Sequence, residues 1–199
     1  MANNVNSWIN VIGNEAVDSK FEEIVSNLDR IYKKYDHADT RTVSEGFFGS
    51  TDTFVHDDKR LGGAKWAYIE EAYSDQIAIV SGWDPAFGLG KVICEILSAV
   101  DSNVIVTMRF EDEVPNFVGA SAWCLKGKTV ARSDCWQATD KYEFIDFSVL
   151  SEMDEDEAED YKSWDDVSEM QDQCLERAKY NLAANKYDSF MKGYRARPN

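Results

Sequence analysis

The chain has 199 residues, 44% of them hydrophobic, enough for one buried core and an appendage. Its 37 acidic and 21 basic residues leave a net charge of −16, which works against general binding to nucleic acid or an anionic membrane and favours a basic partner or none. No run approaches the roughly 18 apolar residues of a membrane span, and the first residues carry neither a basic region nor an apolar signal core, so a cytoplasmic protein is expected.

Residues 5–13 alternate loosely and are rich in β-branched and aromatic side chains, which predicts a first strand. Val17, Phe21, Ile24, Val25, Leu28, Ile31 and Tyr32 then recur at three- and four-residue spacing and line up one apolar helix face. Asp18, Glu22 and Glu23 near its start, with Lys33 and Lys34 near its end, complement the helix dipole. Residues 36–60 break the regularity. His37, Asp39, Thr40, Ser44, Gly46, Gly49 and Ser50 are turn formers around Phe47, Phe48 and Phe54, and they predict an inserted loop with one short helical turn. Its aromatics pin it to the core.

Strands are expected again over 64–71 and 76–83, joined by a tight turn at Ser74-Asp75. Asp84-Pro85 stops the second and opens a helix, because proline suits the first helical turn. Phe87, Leu89, Val92, Ile93, Ile96, Leu97 and Val100 are its predicted buried side. Residues 104–110, apolar almost throughout, read as a central strand; 117–125 and 129–137, turned by Lys126-Gly127-Lys128, read as a hairpin. This order is the split β-α-β plan called ferredoxin-like. The predicted fold class is therefore α+β: a ferredoxin-like β-α-β-β-α-β sheet over 1–147, extended by a C-terminal β-hairpin.

Residues 148–199 read as an acidic helical extension. Between 151 and 172 stand eleven acids, among them Asp154, Glu155 and Asp156, against the single base Lys162. A helix over about 158–185 is expected, with Tyr161, Trp164, Val167, Met170, Cys174, Leu175, Ala178 and Leu182 as its apolar stripe. It reads as a docked terminal helix with a solvated acidic face.

The chemistry-bearing residues are sparse. Cys94, Cys124, Cys135 and Cys174 have no metal-ligand spacing and read as free thiols, although Cys124 and Cys135 could face each other across the hairpin. His37 and His56 lie in the loop outside any ligand pattern, and no nucleotide or nucleophile-elbow motif occurs, so no cofactor and no metal are expected. Gly82, Gly88 and Gly90 flank a helix start able to accept an anion, with no base before Lys91. Alternation sends Glu111 and Glu113 to one face of a strand, where they would raise a carboxylate pKa or hold a divalent cation, with Lys65 or Arg109 as partner. The plainer reading is an acidic strand end in water. Trp66 and Trp83 read as core or core-edge anchors, and Asp84 as part of the helix joint.

Four motifs carry a family resemblance over about residues 3–132. Asn6, Trp8, Asn10 and Gly13 in the first strand, Gly63-Ala64-Lys65-Trp66 before the second, Trp83-Asp84-Pro85 at a strand-to-helix joint, and Phe110-Glu111-Asp112-Glu113 followed by Phe117 and Gly119 form the set. In that arrangement the chain resembles the YubB-type ferredoxin-like family of phage and plasmid proteins, with Ala86 where that family usually has a second proline. The resemblance implies fold and origin, and carries no activity with it.

Together these features point to a non-enzymatic accessory protein of a phage or other mobile element, acting in the host cytoplasm by binding a host or phage protein. The hairpin edge, the 36–60 loop and the acidic helix form its expected contact surface. Two alternatives stand beside it: an acidic nucleic-acid mimic that blocks a DNA-binding enzyme, and an enzyme or metal site using Glu111 and Glu113.

Overall fold

The first strand, β1 (Asn4–Ile12), alternates as its sequence does: Val5, Ser7 and Ile9 are buried, while Asn6, Trp8 and Asn10 lie half-buried on the other face. These positions belong to a computed structural model that describes residues 3–35, 39–50, 59–113, 116–145, 147–151, 153 and 158–184. Helix α1 (Glu15–Tyr32) begins where the Asn14 side chain accepts the Ala16 and Val17 N–H groups at 3.0 and 3.1 Å. Its buried stripe is Val17, Phe21, Val25, Leu28 and Ile31, as the spacing requires.

Within the expected loop, the one short helical turn is a two-turn helix, α2 (Arg41–Phe48), closed by Gly49 at φ 62°. Thr42, Val43 and Gly46 are weak helix formers, so local propensity does not announce it. Tertiary packing overrides propensity here. Val43 is fully buried, Gly46 backs onto Leu28, and the Thr42 hydroxyl accepts the Ile69 N–H at 2.9 Å. The expectations for His37, Phe54 and His56 fall outside the described residues.

A 3-10 turn (Lys59–Leu61) leads to β2 (Ala67–Tyr73), β3 (Gln76–Gly82), helix α3 (Phe87–Ser98), β4 (Ile105–Asp112) and the hairpin β5 (Phe117–Lys126) and β6 (Thr129–Ala138). In α3 the buried stripe runs through Leu89, Gly90, Ile93, Cys94 and Leu97. Ile96 and Val100, expected inside, are 38% and 43% exposed: Ile96 lies off that stripe, and Val100 follows the end of α3. The six strands form one sheet in the order β2-β3-β1-β4-β5-β6, with antiparallel neighbours throughout. Helices α1, α2 and α3 cover one face of this α+β sheet and enclose the main core.

Beyond the hairpin come β7 (Glu143–Ile145), the single turn α4 (Phe147–Leu150), a 3-10 turn (Ala158–Asp160), β8 (Tyr161–Ser163) and α5 (Trp164–Ala183). The last helix starts six residues later than expected, because Tyr161–Ser163 pairs in parallel with β7. Ser163 and Asp166 then close a capping box. Val167, Gln171, Cys174, Leu175, Ala178 and Leu182 are buried, whereas Trp164, expected in the stripe, is 49% exposed. Helix α5 packs on β4, β5 and β6 on the face opposite α1–α3, where Ala120, Ala122 and Ala131 allow close approach. Among the described residues, no helix is long and apolar enough to cross a membrane. Asp154, Glu155 and Asp156 lie outside the described residues.

Candidate functional site

Strand register places Trp8 opposite Arg109 and Asn6 opposite Glu111, on the face that α5 covers only over β4–β6. Where α5 meets that face, two of its side chains reach the strand. Arg109 donates through Nε and Nη2 to one carboxylate oxygen of Asp172, at 2.9 and 2.6 Å. One residue earlier on α5, the Gln171 amide donates to Glu111 Oε2 at 3.0 Å. These pairs floor a cleft of about 520 Å³, walled by Trp8, Trp164 and Val167. Burial pushes the Glu111 carboxyl up, and the Gln171 hydrogen bond opposes that shift in part.

Glu113 does not join it. Strand β4 ends at Asp112, so alternation stops before Glu113. Glu113 is exposed, and its main-chain N–H bonds the Asn4 carbonyl at 2.9 Å. Arg109, expected to partner the acidic pair, is engaged by Asp172 instead. No group of three or more potential metal ligands exists among the described residues. The acid that sequence reasoning passed over is Asp112, only 4% exposed, whose Oδ2 accepts the Asn3 and Asn116 amides at 3.2 and 2.7 Å. It ties the start of β1 to the loop before β5.

Lys65, Trp66, Trp83 and Asp84 gather where β2 begins and β3 ends. Lys65 N–H bonds the Gly82 carbonyl at 3.2 Å, and Gly82 N–H bonds the Trp66 carbonyl at 3.1 Å. The Trp66 indole lies so close over Gly82 that a Cβ there would meet it at 2.6 Å. Trp66 also stacks on Tyr68, with centroids 6.1 Å apart. Trp83 is no core anchor: it is 51% exposed, because φ 72° swings its side chain outward. A bulky residue in that left-handed region costs about 1–3 kcal/mol. Lys65 Nζ sits 4.8 Å from the Trp83 ring, so Lys65 serves this indole and not the acidic strand end. The Asp84 main-chain carbonyl accepts the Ser81 hydroxyl at 2.8 Å and shapes the entry to α3.

A second cleft, of about 420 Å³, opens on the other face at the start of α3. The sequence shows no base before Lys91 near that helix start, yet the fold brings in Lys59, Arg60 and Arg132 from separate elements. Arg132 lies 4.1 Å from the Phe87 ring and pairs with Asp134 at 2.7 Å, and Lys91 faces Glu95 at 3.6 Å. Much of this cleft's positive charge is thus answered by neighbouring carboxylates. The four thiols are free. Cys124 stands opposite Ala131 and Cys135 opposite Ala120, so the two do not face each other across the hairpin.

Comparison with protein-family models, curated proteins and solved structures finds no match to this chain.

Proposed function

We propose that this chain is a non-catalytic binding module that grips a protein partner through the part of its sheet that no described helix covers and the Glu111 cleft. The order β2-β3-β1-β4, antiparallel throughout, supports a reading as a ferredoxin-like β-α-β-β-α-β unit, with β5 and β6 extending one edge. That order supports the reading of the four motifs as those of a phage or plasmid accessory protein, acting on a host or phage protein in the host cytoplasm. The origin rests on those motifs alone.

The observation that carries the binding role is how the cleft's charges are held. Arg109 fixes Asp172 and Gln171 fixes Glu111, so the polar groups are set in place by one another between two indoles. Tryptophan and arginine in such a setting are the usual anchors of protein interfaces. The segment that fits presents a cation towards Glu111, flanked by apolar side chains, in keeping with the net charge of −16.

A photo-crosslinking residue placed at Trp164, on the cleft rim, tests this against the same residue at the exposed Val100, beyond α3. In cells carrying the chain, a discrete protein adduct is expected from position 164 only, and Glu111→Arg should abolish it. Equal adducts from both positions, no adduct at all, or an adduct indifferent to Glu111→Arg would refute the reading.

A further inference from the structure

Where α5 lies on β6, two of the four cysteines meet. Cys135, in β6, packs against the buried group of Ala120, Cys174 and Leu175, which sets its thiol beside that of Cys174. The Gln137 amide, two residues along β6, donates to Cys174 Sγ at 3.6 Å and orients it. Cys174 is 1% exposed, whereas Cys135 is half-buried and within reach of small solutes.

The surroundings make these thiols unequal. Interaction with the Cys174 thiol stabilises the Cys135 thiolate, and Arg177, three residues beyond Cys174 on α5, adds positive charge; together they lower Cys135 against burial and the opposing charge of Asp134. The same interaction, with burial, pushes Cys174 up. Elsewhere burial pushes Cys94 up to about 11 and raises Cys124 as well. Of the four thiols, then, only Cys135 combines access to solvent, a stabilised thiolate and a second thiol in contact.

We propose that Cys135 and Cys174 form a hydroperoxide-reactive dithiol, in which Cys135 takes the oxidant and Cys174 resolves it into a disulfide that staples α5 to β6. The Cys135 thiolate attacks the outer oxygen of the hydroperoxide. The O–O bond breaks, the departing oxygen leaves with the electron pair and takes a proton as water or alcohol, and Cys135 becomes a sulfenic acid. The Cys174 sulfur then attacks the Cys135 sulfur. The S–O bond breaks, the hydroxyl leaves with the Cys174 proton as water, and the S–S bond forms. Two thiols lose two electrons in all, and one hydroperoxide is reduced.

The sulfurs must close to about 2.05 Å. The contacts of α5 with β5 and β6 beside the two cysteines run through the small residues Ala120, Ala122 and Ala178. Since Gln171 and Asp172 stand on the same stretch of α5, oxidation also fixes one wall of the Glu111 cleft. The chemistry holds whether or not that cleft receives a partner.

The test uses the full reduced chain. It is exposed to a slight excess of hydrogen peroxide, blocked with N-ethylmaleimide, and mapped by peptide mass spectrometry. The expected product is an intramolecular Cys135–Cys174 disulfide, with Cys94 and Cys124 recovered as thiols after unfolding. Iodoacetamide should modify Cys135 at least about tenfold faster than Cys124 in the folded protein. In Cys174→Ser, Cys135 should stop at the sulfenic acid and be trapped by dimedone; in Cys135→Ser, neither disulfide nor trapped adduct should form. Far-UV circular dichroism establishes that both serine variants fold. Oxidation of Cys124 or Cys94 at a comparable rate, a disulfide between chains only, or a Cys174→Ser protein whose Cys135 resists both peroxide and dimedone would overturn the proposal.

Discussion

Alanine in place of glycine usually stabilises a helix, by about 1 kcal/mol at an interior position. At Gly88, in the first turn of α3, the opposite sign is expected. An ideal Cβ there would lie 1.6 Å from the Arg60 carbonyl oxygen, 2.6 Å from the Arg60 carbonyl carbon and 3.0 Å from that of Leu61. The obstacle is backbone, so no rotamer change relieves it. Reaching an acceptable carbon–oxygen contact of about 3.3 Å means parting the Lys59–Leu61 turn from α3 by about 1.7 Å. Leu61, fully buried beside that contact, is withdrawn with it. Loss of a buried leucine's packing costs about 2–5 kcal/mol, which leaves about 1–4 kcal/mol after the helix-propensity gain.

Urea unfolding followed by tryptophan fluorescence and circular dichroism measures this directly. With a slope of about 2 kcal/mol per molar, a loss of about 2 kcal/mol moves the midpoint down by about 1 M. Gly127→Ala is the comparison: Gly127 has φ 63° but nothing within 4 Å of a Cβ, so it should lose only about 1–2 kcal/mol of backbone strain. Hydrogen exchange should show the Lys59–Leu61 turn loosened in Gly88→Ala alone. A Gly88→Ala protein as stable as the parent, with an unchanged slope, would refute the close-contact argument.

Two further outcomes follow from the cleft. Because burial raises Glu111 in the folded state, the folded chain holds that proton at pH values where the unfolded chain has released it; the associated stability is full below the ordinary carboxylate range and is lost as pH rises through the raised value. Glu111→Gln removes this slope, so the variant should gain on the parent between pH 4 and pH 7 in urea titrations, and a gap constant with pH would disprove it. Arg109 and Asp172, with side chains 33% and 61% exposed, should couple by less than about 1 kcal/mol in a double-mutant cycle, falling further in 1 M salt. A larger coupling that salt leaves unchanged would contradict the open geometry of the pair.

Much of the architecture was readable along the chain, and for particular reasons. The repeat of Val17, Phe21, Val25 and Leu28 leaves one way to bury an apolar stripe. Lys126-Gly127-Lys128 turns a hairpin because glycine takes the positive φ the turn needs. Helix α2 is longer than the single turn expected, because Thr42, Val43 and Gly46 are weak helix formers that gain stability only against Leu28 and Ile69. The late start of α5 was missed because Tyr161–Ser163 finds its partner in β7, about eighteen residues upstream, a pairing that no local pattern announces.

The candidate site was legible only in fragments. Glu111 and Arg109 stood out as charges on an apolar strand, but alternation paired Glu111 with Glu113, where the strand had already ended, and left Asp172 and Gln171 on a helix some sixty residues away out of view. A separation of 39 residues likewise hid the meeting of Cys135 with Cys174, whose identities suggested nothing beyond free thiols. Composition, periodicity and turn chemistry act over a few residues, and by themselves they determined the charge, the order of elements and the apolar faces. Which side chains confront one another was decided by strand register and by the docking of α5, which bring together groups that the chain keeps far apart.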